Sequence, residues 1–396
     1  MANSIGDIQD KNILFLQGPM GNFFKKLDKS FRKKGANTYK IGFNMGDWLF
    51  SYNDNYTPYK DTPKNWEKFI TDFLINNQID MIFLFGDCRF YQKIAKKVAY
   101  KYNIKVYVFE EGYIRPHYIT MELFGVNGFS NIPRDAEFYQ NLPIKEQPKP
   151  KHAKSSKTKM ILSAASYYAI SNLFYFRYPH YIHHRDFSAL RELFYGIRGL
   201  YRKAWFKLTQ NRYHKLFSTQ LSKKYYFVPL QTHNDFQILQ HSNYKSVEKF
   251  IIEVLESFAS NASKDTYIVF KHHPVDRGRK DYTSFIYEQA DILNIKKRVI
   301  SIHDVYLPTC IKNTKATVTI NSTVGLTAIG YEIPTITLGN AIYDIKGLTS
   351  KGVKLDDFWS GYKKVDINLY QNFKNYIIKT TQLNGSFYGM MPKELL

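Results

Sequence analysis

Glu110 and Glu111 stand side by side at the end of the apolar run Val106-Tyr107-Val108-Phe109 and directly before Gly112. Arg115 follows shortly after, so a cation lies near the acids in sequence. An apolar strand that ends in paired acids at a glycine turn is how α/β enzymes present an acid, a base or a nucleophile at the carboxyl edge of a sheet. Adjacent strand residues point to opposite faces, so the two carboxylates are expected to do different jobs. The plainer reading is a strand end with a solvated acidic turn, because Glu-Glu-Gly is not specific by itself.

Four further groupings have chemical potential. Asn321-Ser322-Thr323-Val324-Gly325 sits where a strand gives way to a helix. Ser and Thr cap helices well, and the first helical N–H groups suit a phosphate. A plain cap explains the same residues, and the spacing is not that of a P-loop. Lys271-His272-His273-Pro274 also ends a strand. Pro274 restricts the backbone of His273 and so limits where its ring can aim; donation to a phosphate leaving group is one reading, and a structural pair of adjacent histidines explains the same residues. No metal is expected, since no Cys or acidic partner stands at ligand spacing nearby. Gly18-Pro19-Met20-Gly21 follows the first strand without a full dinucleotide fingerprint. Asp87 and Arg89 form a charge pair in a similar loop after Gly86. Gln231 opens a polar loop through Asp235 that suits a nucleobase or sugar, and His183-His184 reads as surface.

These residues need strands and helices to bring them together. Ile13–Leu16, Tyr39–Phe43, Met81–Phe85 and Val106–Phe109 read as strands alternating with helices, which implies a parallel sheet. A second series runs through Tyr226–Leu230, Tyr267–Phe270, Val299–Ile302, Ala316–Ile320 and Pro334–Leu338. The fold expected is α/β, with two Rossmann-like domains facing a central cleft. The N-terminal domain is expected over 1–215, with a basic, aromatic helical insertion at 145–217. The C-terminal domain is expected over 220–366, and a final helical stretch over 367–396 is expected to pack back on the first domain. Residues 145–159 read as an exposed linker. Leu190, Leu193, Phe194, Ile197, Tyr201, Trp205 and Leu208 recur at helical spacing, flanked by Arg191, Arg198, Arg202 and Lys203. The first reading of that stripe is a core-packed amphipathic helix with a solvated basic face. The second is a helix that touches anionic lipid.

The 396 residues suit two domains, and a hydrophobic share of 44% argues against wholesale disorder. The net charge of +22 and an aromatic share of 17% fit nucleic acid, an anionic membrane surface or acidic substrates. The bases are spread along the chain and no nucleic-acid motif accompanies them, so no nucleic-acid partner is expected. Cys88 and Cys310 give no disulfide framework, which fits a reducing compartment. The polar start of the chain is not a secretory signal, and no apolar run is long enough to span a bilayer. The expectation is a cytoplasmic protein, peripheral to a membrane.

Taken together the motifs resemble the capsule polysaccharide biosynthesis and export proteins of the KpsS type. The resemblance covers most of the chain. It is carried by Leu16-Gln17-Gly18-Pro19, Gly86-Asp87, Arg89, the stretch Glu110 to Glu122, His273-Pro274 and Asn321-Ser322-Thr323. It implies a GT-B-like α/β fold and a retaining β-Kdo transferase at the inner membrane that takes CMP-Kdo as donor, needs no obligatory cofactor or metal, and acts on a phosphatidylglycerol-type lipid, with other capsule synthesis and export proteins as partners. Bacterial sialyltransferases, which also use CMP-activated keto sugars, show a similar trio of motifs. By that similarity Glu110 or Glu111 carries catalysis, with Glu111 as nucleophile and Glu110 as orienter or base. The donor would be held by Lys271, His273, Pro274, Asn321, Ser322, Thr323 and Gln231, with Arg115 on the sugar carboxylate. Gly18, Pro19, Gly21, Asp87 and Arg89 would line the remaining cleft. The alternatives are a sialic-acid donor, or a non-catalytic capsule-assembly or nucleic-acid-binding protein.

Overall fold

The computed structural model describes residues 5–142, 146–183 and 189–396; His184 and the side chains of Leu190 and Leu193 lie outside the described residues. The chain forms two compact units. Unit 1 holds Met1–Asn131, Lys145–Ala189 and Asn375–Leu396, and unit 2 holds Ile132–Ile144 and Leu190–Lys374.

Unit 1 begins with β1 (Asn12–Leu16), β2 (Asn37–Gly42), β3 (Tyr56–Pro58), β4 (Met81–Phe85), β5 (Lys105–Glu111) and β6 (Tyr118–Leu123). The apolar runs of β1, β4 and β5 are buried on both faces, which is why they read as continuous hydrophobic segments rather than alternating ones. One face is filled by aromatics. Phe23, Phe24 and Phe31 of the helix Phe23–Lys33 pack with Phe15, Phe83 and Phe109. Burying each such ring stabilises the unit by roughly 1.5–3 kcal/mol.

Unit 2 contributes β7 (Tyr225–Pro229), β8 (Tyr267–Lys271), β9 (Val299–Ile302), β10 (Ala316–Thr319) and β11 (Thr335–Thr337) in a parallel sheet of order β11-β10-β7-β8-β9. The chain then supplies β12 (Gln382–Asn384), which completes the first sheet as β12-β6-β5-β4-β1-β2-β3. Each unit is thus an α/β layer of the kind expected from the two strand series.

Three expectations are corrected. The first sheet is mixed rather than parallel: β6 runs antiparallel to β5, and β12 antiparallel to β6. The cause is the Glu-Glu-Gly segment itself, which turns the chain into a hairpin instead of a crossover. A Cβ at Gly112 would lie 2.1 Å from the carbonyl oxygen of Tyr118, so only glycine fits. The Gln382 side chain then pins the turn, accepting from the N–H groups of Tyr113 (2.9 Å) and Ile114 (3.4 Å).

The expected boundary near 215–220 is the second. The aromatic, basic stretch is instead shared between the units at about residue 190. Its first helix, Lys157–Leu173, is tied to unit 1 because Tyr167 and Ser171 hydrogen-bond to Asn44, Gly46 and Asp47. Its second helix, Ala189–Thr209, is tied to unit 2 because Arg198 and Arg202 donate to the carbonyls of Arg279 and Arg277. The linker expected to 159 ends sooner, since Ser156 caps the Lys157–Leu173 helix on the Lys159 N–H.

Third, the core-packed reading of the Phe194–Leu208 stripe fails. Ile197 is 61% exposed and Leu208 79%, so the stripe points away from the protein.

Candidate active site

β5 delivers Glu110 and Glu111 to the edge of the first sheet, opposite Thr120 and Ile119 of β6. The pleat separates them as expected. Glu111 is exposed and lines a cavity of about 200 Å³. Gln17, Gly18, Pro19 and Met20, from the loop after β1, form one wall of that cavity. Phe85 and Arg89, from the end of β4, form a second. Tyr167, Tyr168, His183 and Tyr388 close it. Its size is below the roughly 300–1,000 Å³ of pockets that take drug-sized ligands, and suits a single sugar rather than a whole nucleotide sugar.

Glu110 turns the other way. Its Oε1 accepts from the Glu111 N–H at 3.0 Å. Burial pushes its carboxyl up to about 7, a rise that the Glu111 N–H and the Arg89 cation only partly offset. Gly86 makes room for this pair: it has φ +69°, and a Cβ there would lie 3.7 Å from Arg89 Nε and 3.8 Å from Glu110 Oε2. Arg89 therefore sits beside Glu110 while lining the cavity with Glu111. This end of the sheet offers an exposed carboxylate, a second carboxyl that takes or gives a proton near neutrality, and one guanidinium.

The remaining residues of this group divide. Gly18 and Pro19 line the cavity, and Gly18 is required there because a Cβ would meet the Phe24 ring at 2.6 Å. Gly21 (φ +125°) stands beside Tyr388 and Ser163 at the same wall. Asp87 is turned into the protein, in a buried ion pair with Lys96 at 2.7 Å. Arg115 folds back on its own turn, its Nε donating to the Gly112 carbonyl at 3.2 Å, and it is not among the cavity-lining residues. The guanidinium at this cavity is that of Arg89, not Arg115.

Several cavity residues carry no sequence signal. Tyr167 is fixed from beneath by Asp47, a buried carboxylate that also accepts from the Phe43 N–H (2.8 Å) and Gln17 Nε2 (3.2 Å). Burial raises the Asp47 pKa, and Tyr167 OH donates to it at 3.0 Å. His183, expected at the surface, lies edge-on to Tyr168 and Tyr181 and faces the cavity. Tyr388 comes from the far end of the chain; burial, and then the Glu111 charge, push its phenol up to about 12. Tyrosines and a histidine scattered over more than 200 residues share no motif, so only folding brings them to one wall.

In unit 2 the loops after β10, β7 and β8 lie on neighbouring strands, so Asn321, Gln231 and His273 share one carboxyl edge. Gln231 Oε1 accepts from the Asn321 N–H at 3.3 Å, joining two of the loops. Asp276, in the turn Pro274–Gly278, joins the third: it accepts from the His233 N–H at 2.8 Å and meets His233 Nδ1 at 2.7 Å. That pairing places the Nδ1 proton toward the carboxylate and leaves Nε2 as the outward nitrogen. His273 Nδ1 accepts from the Val275 N–H, so its own proton belongs on Nε2. Ser322 caps the short helix Thr323–Ile329 through the Val324 N–H, and Thr323 opens that helix. Lys271 is buried and donates to the His303 carbonyl, so its ammonium is held inside the unit; burial lowers its pKa.

Among the described residues, His272, Asp281 and His303 come within metal-ligand distance of one another. They do not fit a metal. His272 Nε2 accepts from the Tyr282 N–H at 3.0 Å and His272 Nδ1 meets the Ile302 carbonyl at 3.2 Å, so neither nitrogen offers a lone pair.

Two α/β units with polar loops at the carboxyl edges of their sheets, one of them placing Glu111 at a cavity with Glu110 beside it, define an α/β protein whose reactive side chains gather at strand ends. More particularly, the chain belongs to the capsule polysaccharide biosynthesis protein family, whose family model matches residues 80–388. It is 38% identical to the capsule polysaccharide export protein KpsS of Escherichia coli, over 96% of this chain and 98% of that one. It is 36% identical to the capsule polysaccharide modification protein LipB of Neisseria meningitidis serogroup A, over 96% of this chain and 92% of that one. Among solved structures it is similar to a β-Kdo 2,7 transferase domain of KpsC from Thermosulfurimonas dismutans, with 15% identity and a TM-score of 0.43 over 92% of this chain and 89% of that one.

Proposed function

We propose that this protein is a retaining glycosyltransferase of capsule synthesis that moves Kdo from CMP-Kdo to a phosphatidylglycerol-type lipid at the inner membrane. The observation that carries the reading is Glu111 facing a sugar-sized cavity while Glu110, beside it, is held at about 7. In this reading the Glu111 carboxylate bonds to the anomeric carbon as the CMP phosphate leaves with the electron pair of the broken C–O bond. The acceptor hydroxyl then attacks the same carbon, gives its proton to Glu110 and releases Glu111. Arg89 takes the role of neutralising the Kdo carboxylate. On unit 2, His273 Nε2, Ser322 and Thr323 serve as donors to the CMP phosphate, and Gln231 and Asn321 hold the loops that present them. No metal takes part in this scheme.

The test is to incubate the protein with CMP-Kdo and a fluorescent lysophosphatidylglycerol and look for a mass gain of one Kdo, with CMP-sialic acid run alongside as the competing donor. Glu111→Gln should abolish transfer. Near-full activity in that variant would remove Glu111 as nucleophile, and transfer from CMP-sialic acid alone would replace the donor. His273→Ala should cost roughly 2–4 kcal/mol in transition-state stabilisation, as the loss of one preorganised donor does elsewhere.

A further inference from the structure

The helix Ala189–Thr209 is amphipathic in the opposite sense to a core helix. Phe194, Ile197, Tyr201, Trp205 and Leu208 recur at intervals of three or four residues, share one face with Leu200 at its border, and all six are 53–79% exposed. Lys203 and Lys207 flank this stripe on one side and Arg191 on the other, all exposed. The acid of the helix, Glu192, is taken up by an ion pair with Arg279. The outward face therefore combines large apolar side chains with positive charge.

The inward face is held by polar contacts instead of apolar burial. Arg198 Nη2 donates to the Arg279 carbonyl at 3.0 Å, and Arg202 Nη1 donates to the Arg277 carbonyl at 3.1 Å and lies 3.4 Å from Asp281. A Cβ at Gly278 would fall 2.0 Å from the Tyr195 carbonyl oxygen, so the helix backbone lies directly on the turn Pro274–Gly278. Phe206 stacks on His303 at 3.9 Å between ring centroids. These contacts fix which way the helix faces, and the turn they grip is the one that begins immediately after His273.

We propose that the Ala189–Thr209 helix is a membrane-docking element that lies in the plane of an anionic bilayer surface, with Ile197 and Leu208 deepest and Lys203, Lys207 and Arg191 at the headgroups. Among the described residues no helix is long and apolar enough to cross a membrane, so the stripe lies on the surface rather than spanning it. Charge decides the occupant. A second copy docked by two-fold symmetry would bring the same lysines and arginine against each other, whereas anionic lipid neutralises them. A helix is about 10–12 Å across, so docking would hold the His273 turn on the order of 10 Å from the interface plane. The lipid-acceptor reading supplies the purpose of this device, but the helix geometry stands without it.

The experiment uses the full chain, without sugar donor, in flotation with phosphatidylcholine vesicles that contain or lack phosphatidylglycerol. The protein is expected to float with the anionic vesicles and to dissociate as salt rises. Lys203→Glu with Lys207→Glu should weaken that binding by well over tenfold, at about fivefold for each lost basic side chain. Ile197→Glu with Leu208→Glu should reduce it at least as far; both positions are exposed, so the unfolding midpoint should stay that of the wild type. Brominated lipid should quench wild-type tryptophan fluorescence, and Trp205→Phe should remove most of that quenching. Unchanged flotation of the Ile197→Glu/Leu208→Glu variant would overturn the proposal. So would a wild-type dimer that this variant dissociates, with no vesicle binding, which would make a second copy the occupant. Transferase activity enters none of these readouts, so failure here and failure of the CMP-Kdo reading are separable.

Discussion

Replacing Glu110 by Gln tests the electrostatics of the acidic pair without any substrate. In the unfolded chain this carboxyl titrates at its ordinary 4.5, and in the native protein burial holds it at about 7. Below pH 4.5 both states are protonated and the site costs nothing. Between 4.5 and 7 the unfolded chain has ionised while the native protein keeps its proton. The native state then binds more protons, and stability falls as pH rises. Above 7 the penalty is complete, at about 3 kcal/mol at most, since Glu110 is still partly exposed. Gln is neutral throughout, and its carbonyl oxygen keeps the Glu111 N–H bond. Glu110→Gln should therefore match the wild type at pH 4.5 and exceed it by up to about 3 kcal/mol at pH 8, while transferring sugar more slowly. Urea unfolding followed by tryptophan fluorescence across this pH range measures the difference. Arg89→Gln is the counterpart: it removes the offsetting cation and should destabilise the protein at pH 8 but hardly at pH 4.5. If Glu110→Gln is no more stable than the wild type at pH 8, the carboxyl is well solvated and cannot be the proton acceptor argued for it.

Other outcomes follow from single contacts. Tyr167→Phe takes a hydroxyl donor from Asp47 and the acceptor from Asn44 Nδ2 and should cost about 1–3 kcal/mol, with faster hydrogen exchange in the Lys157–Leu173 helix; unaltered exchange would show that this anchor is not needed. Gly112→Ala must displace the Tyr118 carbonyl and should cost at least about 1–3 kcal/mol and most of the transfer activity, read by unfolding midpoint and rate; a wild-type midpoint would mean the turn relaxes freely. Asp276→Asn removes the buried carboxylate that His233 meets through its N–H and Nδ1, and should cost about 1–3 kcal/mol, read by the unfolding midpoint; a wild-type midpoint would mean the two loops stay joined without it.

Much of the scaffold was legible because parallel strands buried on both faces are written as apolar runs. Met81–Phe85 and Val299–Ile302 begin and end where those runs do. The edge strand β3 buries little, and β12, though Leu383 is fully buried, is three residues long with polar residues on both sides, so neither carries such a run. The hairpin into β6 was hidden for another reason: its turn is the chemical motif itself, and a Glu-Glu-Gly end looks alike whether a helix or a strand follows. The Ala189–Thr209 helix shows the limit of periodicity. Spacing establishes that one face is apolar, but not whether that face meets protein or water, and here polar contacts from Arg198 and Arg202 turn it outward.

The sequence by itself determined the α/β class, the two strand series, the family, and the strand end that carries Glu110 and Glu111, because these rest on local pattern and short motifs. Only the tertiary structure decided that Glu111 lines the cavity while Glu110 beside it is half-buried, that Arg89 rather than Arg115 stands with them, and that Tyr167, Tyr168, His183 and Tyr388 close the wall. The physical reason is that burial and the pKa shift it causes depend on what packs around a side chain, and those neighbours come from residues 17 to 388 of the chain.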